Sequence, residues 1–319
     1  MRLIKPALLI HRKRSPFPAG EGLIMFNLRS CTVCPRECGV NRYEKRGYCG
    51  EGADIRVSKI MLHHFEEPII SGKSDDTRGS GTIFFSGCPL HCVYCQNNAI
   101  SHGGKGEIMS AKTLADEMLR LEDMGAYNIN LVSPTHFIPQ IIDTLDIVKP
   151  KLSIPIVFNT GGYEKVDTIA ALDGYADIFL TDFKYGTHEL AIKYSAAPDY
   201  PSVAAAALSE MFRITGAPAF DSQGMLKRGT ILRHLVLPGG RHDSVEALKI
   251  VSKTVPADKI ILSLMRQYTP DFAPDSIKEL KRKITTFEYN YVLKEALSLG
   301  FNGFSQDTAS ATTIYTPDF

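Results

Sequence analysis

The chain has 319 residues, of which 44% are hydrophobic, enough for one large α/β domain or for a barrel with a small appendage. Its 36 Lys and Arg residues balance 35 Asp and Glu residues, for a formal net charge of +1, so neither nucleic acid nor an acidic membrane surface is indicated as a partner. The sequence contains no run of eighteen apolar residues, and no membrane-spanning helix is expected.

Residues 1–25 are poorly patterned and are interpreted as an extension that need not be ordered. Lys5 and Pro6 break the early apolar run, and no small-residue cleavage pattern follows, so a signal peptide is not indicated. Met25 is an alternative start. Seven tightly clustered cysteines favour metal binding in the reducing cytoplasm over a secreted disulfide scaffold.

Residues 26–79 are predicted to form a small metal-binding appendage. Cys31, Cys34, Cys38 and Cys49 read C-x2-C-x3-C-x10-C, and four thiolates suffice for a closed tetrahedral zinc or for an iron–sulfur cluster. A Cys-rich segment without its own core gains folding energy from a metal. The spacing leaves zinc and a cluster open: a cluster would relay electrons, whereas zinc would only fix the appendage. The following Glu66 and Glu67 are expected to form a surface acidic turn.

From residue 80 to 319 short apolar runs alternate with amphipathic stretches. The apolar runs are predicted to be buried strands, at residues 82–87, 128–132, 155–160, 177–183, 230–237, 259–265 and 300–307. Helical periodicity lies between them, at residues 110–124, 137–149, 163–172, 187–216, 243–253 and 274–298. Such alternation implies parallel strands joined by right-handed crossovers. The expected fold class is therefore α/β, a full or partial (β/α) barrel, with an open doubly wound sheet as the alternative.

Three cysteines follow the first of these strands, in the stretch SGCPLHCVYCQNN. Cys88, Cys92 and Cys95 are spaced C-x3-C-x2-C, in a loop at the C-terminal rim, where the chemistry of barrels collects. Structural zinc sites and ordinary iron–sulfur clusters take four protein ligands, so three thiolates leave one position open for a small molecule. A zinc site completed by His91 or His102 is the alternative.

This motif, with Tyr94 just before its last cysteine, resembles the radical S-adenosylmethionine (SAM) superfamily. The stretch FFSGCPLHCVYCQN resembles the glycyl-radical-activating branch. Together with CTVCPRECGV, EEPIISG and NLVSPTHF, it is similar to the PflX-like group related to pyruvate formate-lyase activating enzyme. The resemblance covers residues 30–307. It implies that the three cysteines hold a [4Fe–4S] cluster whose fourth iron chelates SAM, and that one electron cleaves SAM to methionine and a hydrogen-abstracting 5′-deoxyadenosyl radical.

The resemblance also implies which rim residues contact SAM. Tyr94 lies within the cluster motif. Ser133 begins the segment SPTH, which replaces the family's Gly-Gly-Glu-Pro-like segment and lacks its carboxylate, so hydroxyls and backbone carbonyls would receive the SAM ammonium. Asn159 takes the place of an acidic residue and would bond a ribose hydroxyl. His136, in the same SPTH segment, is a candidate ligand or proton carrier, with a purely structural hydrogen bond as the alternative.

Charged residues in or next to two further predicted strands are also expected at the SAM site. Asp182 and Lys184 match the family's Asp-x-Lys, in which the lysine pairs with the SAM carboxylate and the aspartate orients it. Arg233 and His234 are neighbours in one strand, so only one of them faces the barrel interior, and the resemblance favours Arg233.

The sequence therefore predicts a cytoplasmic radical SAM enzyme that abstracts hydrogen, with a protein favoured as its substrate by resemblance. A flavodoxin- or ferredoxin-like low-potential electron donor is the expected partner. A small metabolite, a peptide or RNA is the alternative substrate, although the near-neutral charge disfavours RNA. From other classes, an iron–sulfur electron-transfer or binding protein without SAM chemistry and a zinc-only interaction protein remain open.

Overall fold

The computed structural model describes residues 26–73, 76–307, 310, 311 and 317, so the predicted extension at residues 1–25 lies outside the described residues. The strands of the described part are β1 (Ile55–His63), β2 (Ser80–Phe85), β3 (Glu107–Met109), β4 (Ile129–Val132), β5 (Ile156–Thr160), β6 (Ile178–Asp182), β7 (Ala219–Phe220), β8 (Leu226–Leu235), β9 (Ile261–Met265) and β10 (Asn302–Ser305).

The helices of the same residues are α1 (Pro68–Ser71), α2 (Asn98–Ser101), α3 (Ala111–Asp123), α4 (Ile138–Val148), α5 (Val166–Ala170), α6 (His188–Ser195), α7 (Tyr200–Thr215), α8 (Arg241–Thr254) and α9 (Thr286–Ser298). The side chain of Ser110 caps α3 by accepting the Thr113 N–H, as expected for a serine at this place. No helix among these residues is both long and apolar enough to cross a membrane.

Seven parallel strands form a partial barrel, which confirms the α/β prediction. They follow the order β2-β4-β5-β6-β8-β9-β10, and the sheet stays open between β10 and β3 at its two edges. Every predicted strand is present, and none of its bounds differs from the expected position by more than four residues. Strands that feed right-handed crossovers lie next to each other with their carboxyl ends on one rim, and that rim carries the site described below.

Two predictions about the elements are wrong. Residues 274–285 are not helical apart from a 3-10 turn at Lys278–Leu280, because α9 begins only at the capping box formed by Thr285 and Glu288. The predicted helix at 163–172 shrinks to α5, since two glycines and an extended Lys165 precede it.

The strand β1 was not predicted, and it joins the appendage to the barrel. It pairs antiparallel with β2 along the register from Val57 with Phe85 to His63 with Ser80. Residues on both sides of position 80 thus share one sheet. After β1 the chain turns into α1, whose Ile70 is fully buried against the inward-facing residues Val157, Ile178, Leu180, Leu226 and Ile231. Helix α1 therefore closes the end of the barrel opposite the rim.

Candidate active site

A cavity of about 400 Å³ opens at the carboxyl ends of the parallel strands. The residues predicted for the cluster and for its ligand all line it, namely Cys88, Cys92, Cys95, Tyr94, Ser133, Asn159, Asp182, Lys184 and Arg233. They come from the loop after β2 and from the ends of β4, β5, β6 and β8. The structure brings together side chains that are up to 145 positions apart in the sequence.

The three cysteines of this cavity can act as thiolate ligands only if positive charge is bound beside them. Burial, together with the neighbouring Cys92 and Cys95, raises the pKa of Cys88 to about 12. Burial likewise raises the pKa of Cys95 to about 11. Thiolates at such a place need nearby positive charge, which bound iron supplies. The donor set therefore fits three corners of a [4Fe–4S] cluster, which when bound would supply single electrons to a ligand in the cavity.

A chain of hydroxyl groups ends on one of these sulfurs. Ser195 Oγ donates to Cys92 Sγ at 3.1 Å and lies 2.7 Å from the Tyr185 hydroxyl. Tyr94 in turn donates to Tyr185 at 3.0 Å. Tyr94 is thus oriented by its hydroxyl. Because hydrogen bonds to cluster sulfurs set the reduction potential, this chain is placed to tune it.

Arg36 fixes the backbone of the cysteine loop from outside the cavity. Its Nε donates to the Pro89 carbonyl at 2.8 Å, and its Nη2 donates to the Ser195 carbonyl at 2.7 Å. One guanidinium therefore holds both the loop that carries the thiols and the residue that bonds Cys92. A planar donor fork suits several carbonyls at once.

Lys184 and Asp182 form an ion pair at the end of β6, with 2.5 Å between Nζ and Oδ2. Burial opposes the charge on Lys184, but the Asp182 carboxylate together with the neighbouring Cys92 and Cys95 outweighs burial and raises the pKa of the lysine. Lys184 is therefore a permanent cation facing the thiols, able to bind a ligand carboxylate.

Glu164 is a site residue that the sequence analysis missed. Its carboxylate lines the cavity and accepts hydrogen bonds from Thr135 at 2.9 Å and Thr160 at 3.3 Å. Burial raises its pKa to about 7. The segment after β4 lacks a carboxylate, and Glu164 brings one to that segment from beyond β5. The signal was a glutamate four residues after the end of that strand, but sequence spacing did not show that its side chain points back toward the cavity.

Glu66 and Glu67 are not a surface acidic turn, so that expectation is wrong. Their side chains are only 7% and 6% exposed and line the cavity, because the turn after β1 enters the barrel. Glu67 receives two hydrogen bonds from Arg233, at 2.9 and 2.7 Å, and Glu66 also pairs with it. Burial would raise the pKa of Glu67, but Arg233 outweighs it and lowers the pKa. Arg233 faces the interior as predicted.

His136 and His234 lie outside the residues that line the cavity. His136 donates from Nε2 to the Ser86 carbonyl at 2.7 Å, and burial, helped by the charge of Arg42, lowers its pKa to about 3. It is therefore neutral and holds the loop after β2 in place. His234 lies against the Phe183 carbonyl, 2.6 Å from its Nδ1.

The four N-terminal cysteines lie apart from the cavity. Cys31, Cys34 and Cys49 are buried, Cys38 is partly exposed, and all four are free of disulfides. Among the residues that the structure describes, no group of three or more His, Cys, Asp and Glu side chains could hold a single metal ion.

The fold and the cavity together define an open α/β barrel protein with three cysteines at its rim. Residues 82–207 match the family model described as Radical SAM superfamily. The matched segment contains the thiols, Glu164 and Lys184, and it supports a radical SAM domain in this part of the chain. The match does not reach Arg233 or the four N-terminal cysteines.

Similarities to individual proteins extend further along the chain. An uncharacterized protein of Methanocaldococcus jannaschii, MJ0674, is 27% identical over 282 residues, which cover 84% of this chain and 74% of that protein. Among solved structures, methylornithine synthase (PylB) is 16% identical with a TM-score of 0.45, covering 66% of this chain and 59% of that one. Streptococcus suis SuiB bound to S-adenosylmethionine is 13% identical with a TM-score of 0.47, covering 73% and 51%. The chain thus spans little more than half the length of these structures.

Proposed function

We propose that this chain is a radical SAM enzyme that abstracts a hydrogen atom from a protein substrate, in the manner of the glycyl-radical-activating enzymes. The observation that carries the proposal is one cavity that contains three thiols, Lys184 and Glu164 together. This arrangement offers a cluster with an incomplete ligand set, a cation for the SAM carboxylate and an anion for the SAM ammonium.

Each charged group then has one task. Lys184, held by Asp182, receives the SAM carboxylate, and Glu164 with the backbone at Ser133 receives the ammonium. Asn159 bonds the ribose. Bound in this way and given one electron, SAM would supply a 5′-deoxyadenosyl radical by breaking its C5′–S bond with loss of methionine, and that radical would take a hydrogen atom from the substrate.

A protein substrate is favoured by the resemblance of the loop around Cys88 to the activating enzymes. The electron would come from a flavodoxin- or ferredoxin-like donor, and the reducing cytoplasm would keep the seven thiols available for metal.

A small polar metabolite or a peptide is the second candidate substrate, and further polar groups in the cavity favour it. Glu66 and Glu67, which are not among the predicted SAM contacts, line the same cavity and pair there with Arg233. His63, which also lines the cavity, keeps both ring nitrogens buried without a hydrogen-bond partner. Buried unpaired polar atoms are costly, and a small polar ligand would satisfy them.

The test uses anaerobically reconstituted protein with SAM and a low-potential reductant. We expect 5′-deoxyadenosine and methionine in equal amounts, and none from Cys92→Ala; no 5′-deoxyadenosine from iron-loaded wild type would refute the proposal. The reduced cluster should also change its electron paramagnetic resonance (EPR) spectrum when SAM is added, whereas a pure electron carrier would show no change.

Candidate substrates are then separated by deuterium. Perdeuterated proteins, peptides or metabolites are supplied in turn, and the deuterium content of 5′-deoxyadenosine is measured. Transfer from a protein alone supports the first candidate, and transfer from a metabolite or peptide supports the second.

A further inference from the structure

We propose that Cys31, Cys34, Cys38 and Cys49 hold a second [4Fe–4S] cluster, which passes single electrons to the cluster of the Cys88 loop. The metal assignment stands independently, and only the direction of electron flow rests on the proposed function.

The four thiols are gathered by the backbone of their own loop. Cys31 N–H donates to the Val40 carbonyl at 3.1 Å, and Gly39 N–H donates to the Cys31 carbonyl at 3.0 Å, so the first and third cysteines lie at the closed end of one loop. A Cβ built on Gly47 would lie 3.4 Å from Cys38 Sγ and 3.5 Å from Cys49 Sγ. These two sulfurs, eleven positions apart in the sequence, thus flank the same small volume.

Four thiols suit either a zinc ion or a [4Fe–4S] cluster. The four cysteines form no disulfide, so all four are available as ligands. Zinc has no redox chemistry, whereas a cluster exchanges single electrons. A cluster is therefore the assignment that gives a function to a site next to the cysteine loop of the cavity, and the metal content measured below separates it from zinc.

The second site lies directly behind the cysteine loop of the cavity. Cys88 N–H donates to the Cys49 carbonyl at 3.1 Å, so a ligand of one site is hydrogen-bonded to a ligand of the other. A Cβ on Gly87 would stand 2.5 Å from that carbonyl oxygen, and only a glycine with its φ of +82° permits this approach. Arg36, which lies between Cys34 and Cys38, donates the hydrogen bonds described above to the carbonyls of Pro89 in that loop and of Ser195.

The orientation of the two sites suits electron entry from the N-terminal side. None of the four cysteines lines the cavity, whereas Cys38 is partly exposed and the neighbouring Tyr48 is 41% exposed. A one-electron donor of the flavodoxin or ferredoxin class can approach this face while SAM and substrate fill the cavity. The donor loses one electron, the second cluster gains it and returns to its oxidised state on passing it inward.

The test isolates the second site in the full chain with the triple variant C88A/C92A/C95A, purified anaerobically and reconstituted with iron and sulfide. We expect about four irons and four sulfides per chain, and no zinc. One zinc without iron, or no metal in a variant with a wild-type circular dichroism spectrum, would overturn the assignment. If the variant does not fold, wild type decides: about eight irons support the cluster, and about four irons with one zinc refute it.

The closeness of the two proposed clusters can be tested separately by EPR spectroscopy. The EPR spectrum of fully reduced wild type should show magnetic coupling that is missing from the triple variant and from its counterpart C34S/C38S. A wild-type spectrum equal to the sum of the two would refute adjacent clusters. If 5′-deoxyadenosine never forms but the triple variant holds about four irons, the proposed function fails and the metal assignment stands.

Discussion

Replacement of Glu164 by glutamine should weaken SAM binding and stabilise the SAM-free protein. The substitution keeps the shape of the side chain and its contacts to Thr135 and Thr160 but removes the charge. A hydrogen bond to a charged partner contributes about 1.5–3 kcal/mol, so the dissociation constant of SAM should rise roughly 10- to 100-fold.

The stability effect has the opposite sign because the carboxylate is buried. Its pKa is about 7 in the folded protein against 4.5 for an ordinary glutamate. The stability contributed by the neutral acid is fully present below pH 4.5 and is lost as the pH rises through 7, a loss of about 3 kcal/mol. Glutamine avoids this loss, so at pH 8 the variant should melt on the order of 5 °C higher than wild type.

The assay combines SAM binding by calorimetry with thermal unfolding, each from pH 5.5 to 8.5. Wild-type affinity should fall as the pH drops below 7, and the affinity of Glu164→Gln should stay flat. Glu189→Gln, at an exposed position on α6, is the matched control and should keep the wild-type slope. Unchanged SAM affinity together with an unchanged melting temperature at pH 8 would refute the reasoning.

Three further substitutions test other contacts. Glu67→Gln should lower the free energy of unfolding at pH 7 by about 3 kcal/mol because it leaves the buried arginine partner underpaired. The difference from wild type should shrink as acid protonates the wild-type carboxylate. Urea unfolding that shows no difference would contradict the pairing. Ser195→Ala should lower the reduction potential of the cluster on Cys92 by about 40 mV, the equivalent of one hydrogen bond, and Ser195→Thr should restore it in an EPR redox titration. Gly162→Ala should unfold at lower temperature because its Cβ would stand 2.1 Å from a carbonyl oxygen, whereas Gly224→Ala, at the same φ of +80° in open space, should show only the smaller backbone cost.

The barrel and the thiol motif could be predicted because both depend on residues that are close together in the sequence. Apolar runs followed by polar rim residues mark parallel strands, and this is why Asp182 and Lys184 could be placed before the structure. Alternation along the strand indicated that only one of Arg233 and His234 faces the interior, and the resemblance favoured Arg233. The strand β1 was not predicted because buried and partly exposed residues alternate only weakly along it and its pairing is irregular between Val57 and Lys59.

Contacts across long separations could not be read in the same way. Arg36 reaches a carbonyl 159 positions away, and Glu67 meets an arginine 166 positions away. Single-residue chemistry suggests exposure for such residues, since charged side chains are buried only with partners that the linear sequence does not reveal. Burial of Glu66 and Glu67 follows instead from α1 closing the barrel, which brings the residues before it into the interior.

The charge balance of the cavity explains why one ligand class suits it. Among the described lining residues four carboxylates, on Glu66, Glu67, Glu164 and Asp182, face two cations, on Lys184 and Arg233. With Glu164 ionised this leaves a net charge of −2 before any thiolate is counted. Arg233 is already shared by two carboxylates, so the excess negative charge acts on the ligand. SAM carries a sulfonium and an ammonium against one carboxylate, and its net positive charge complements this surface, whereas a neutral sulfur analogue loses the attraction at the atom nearest the thiols.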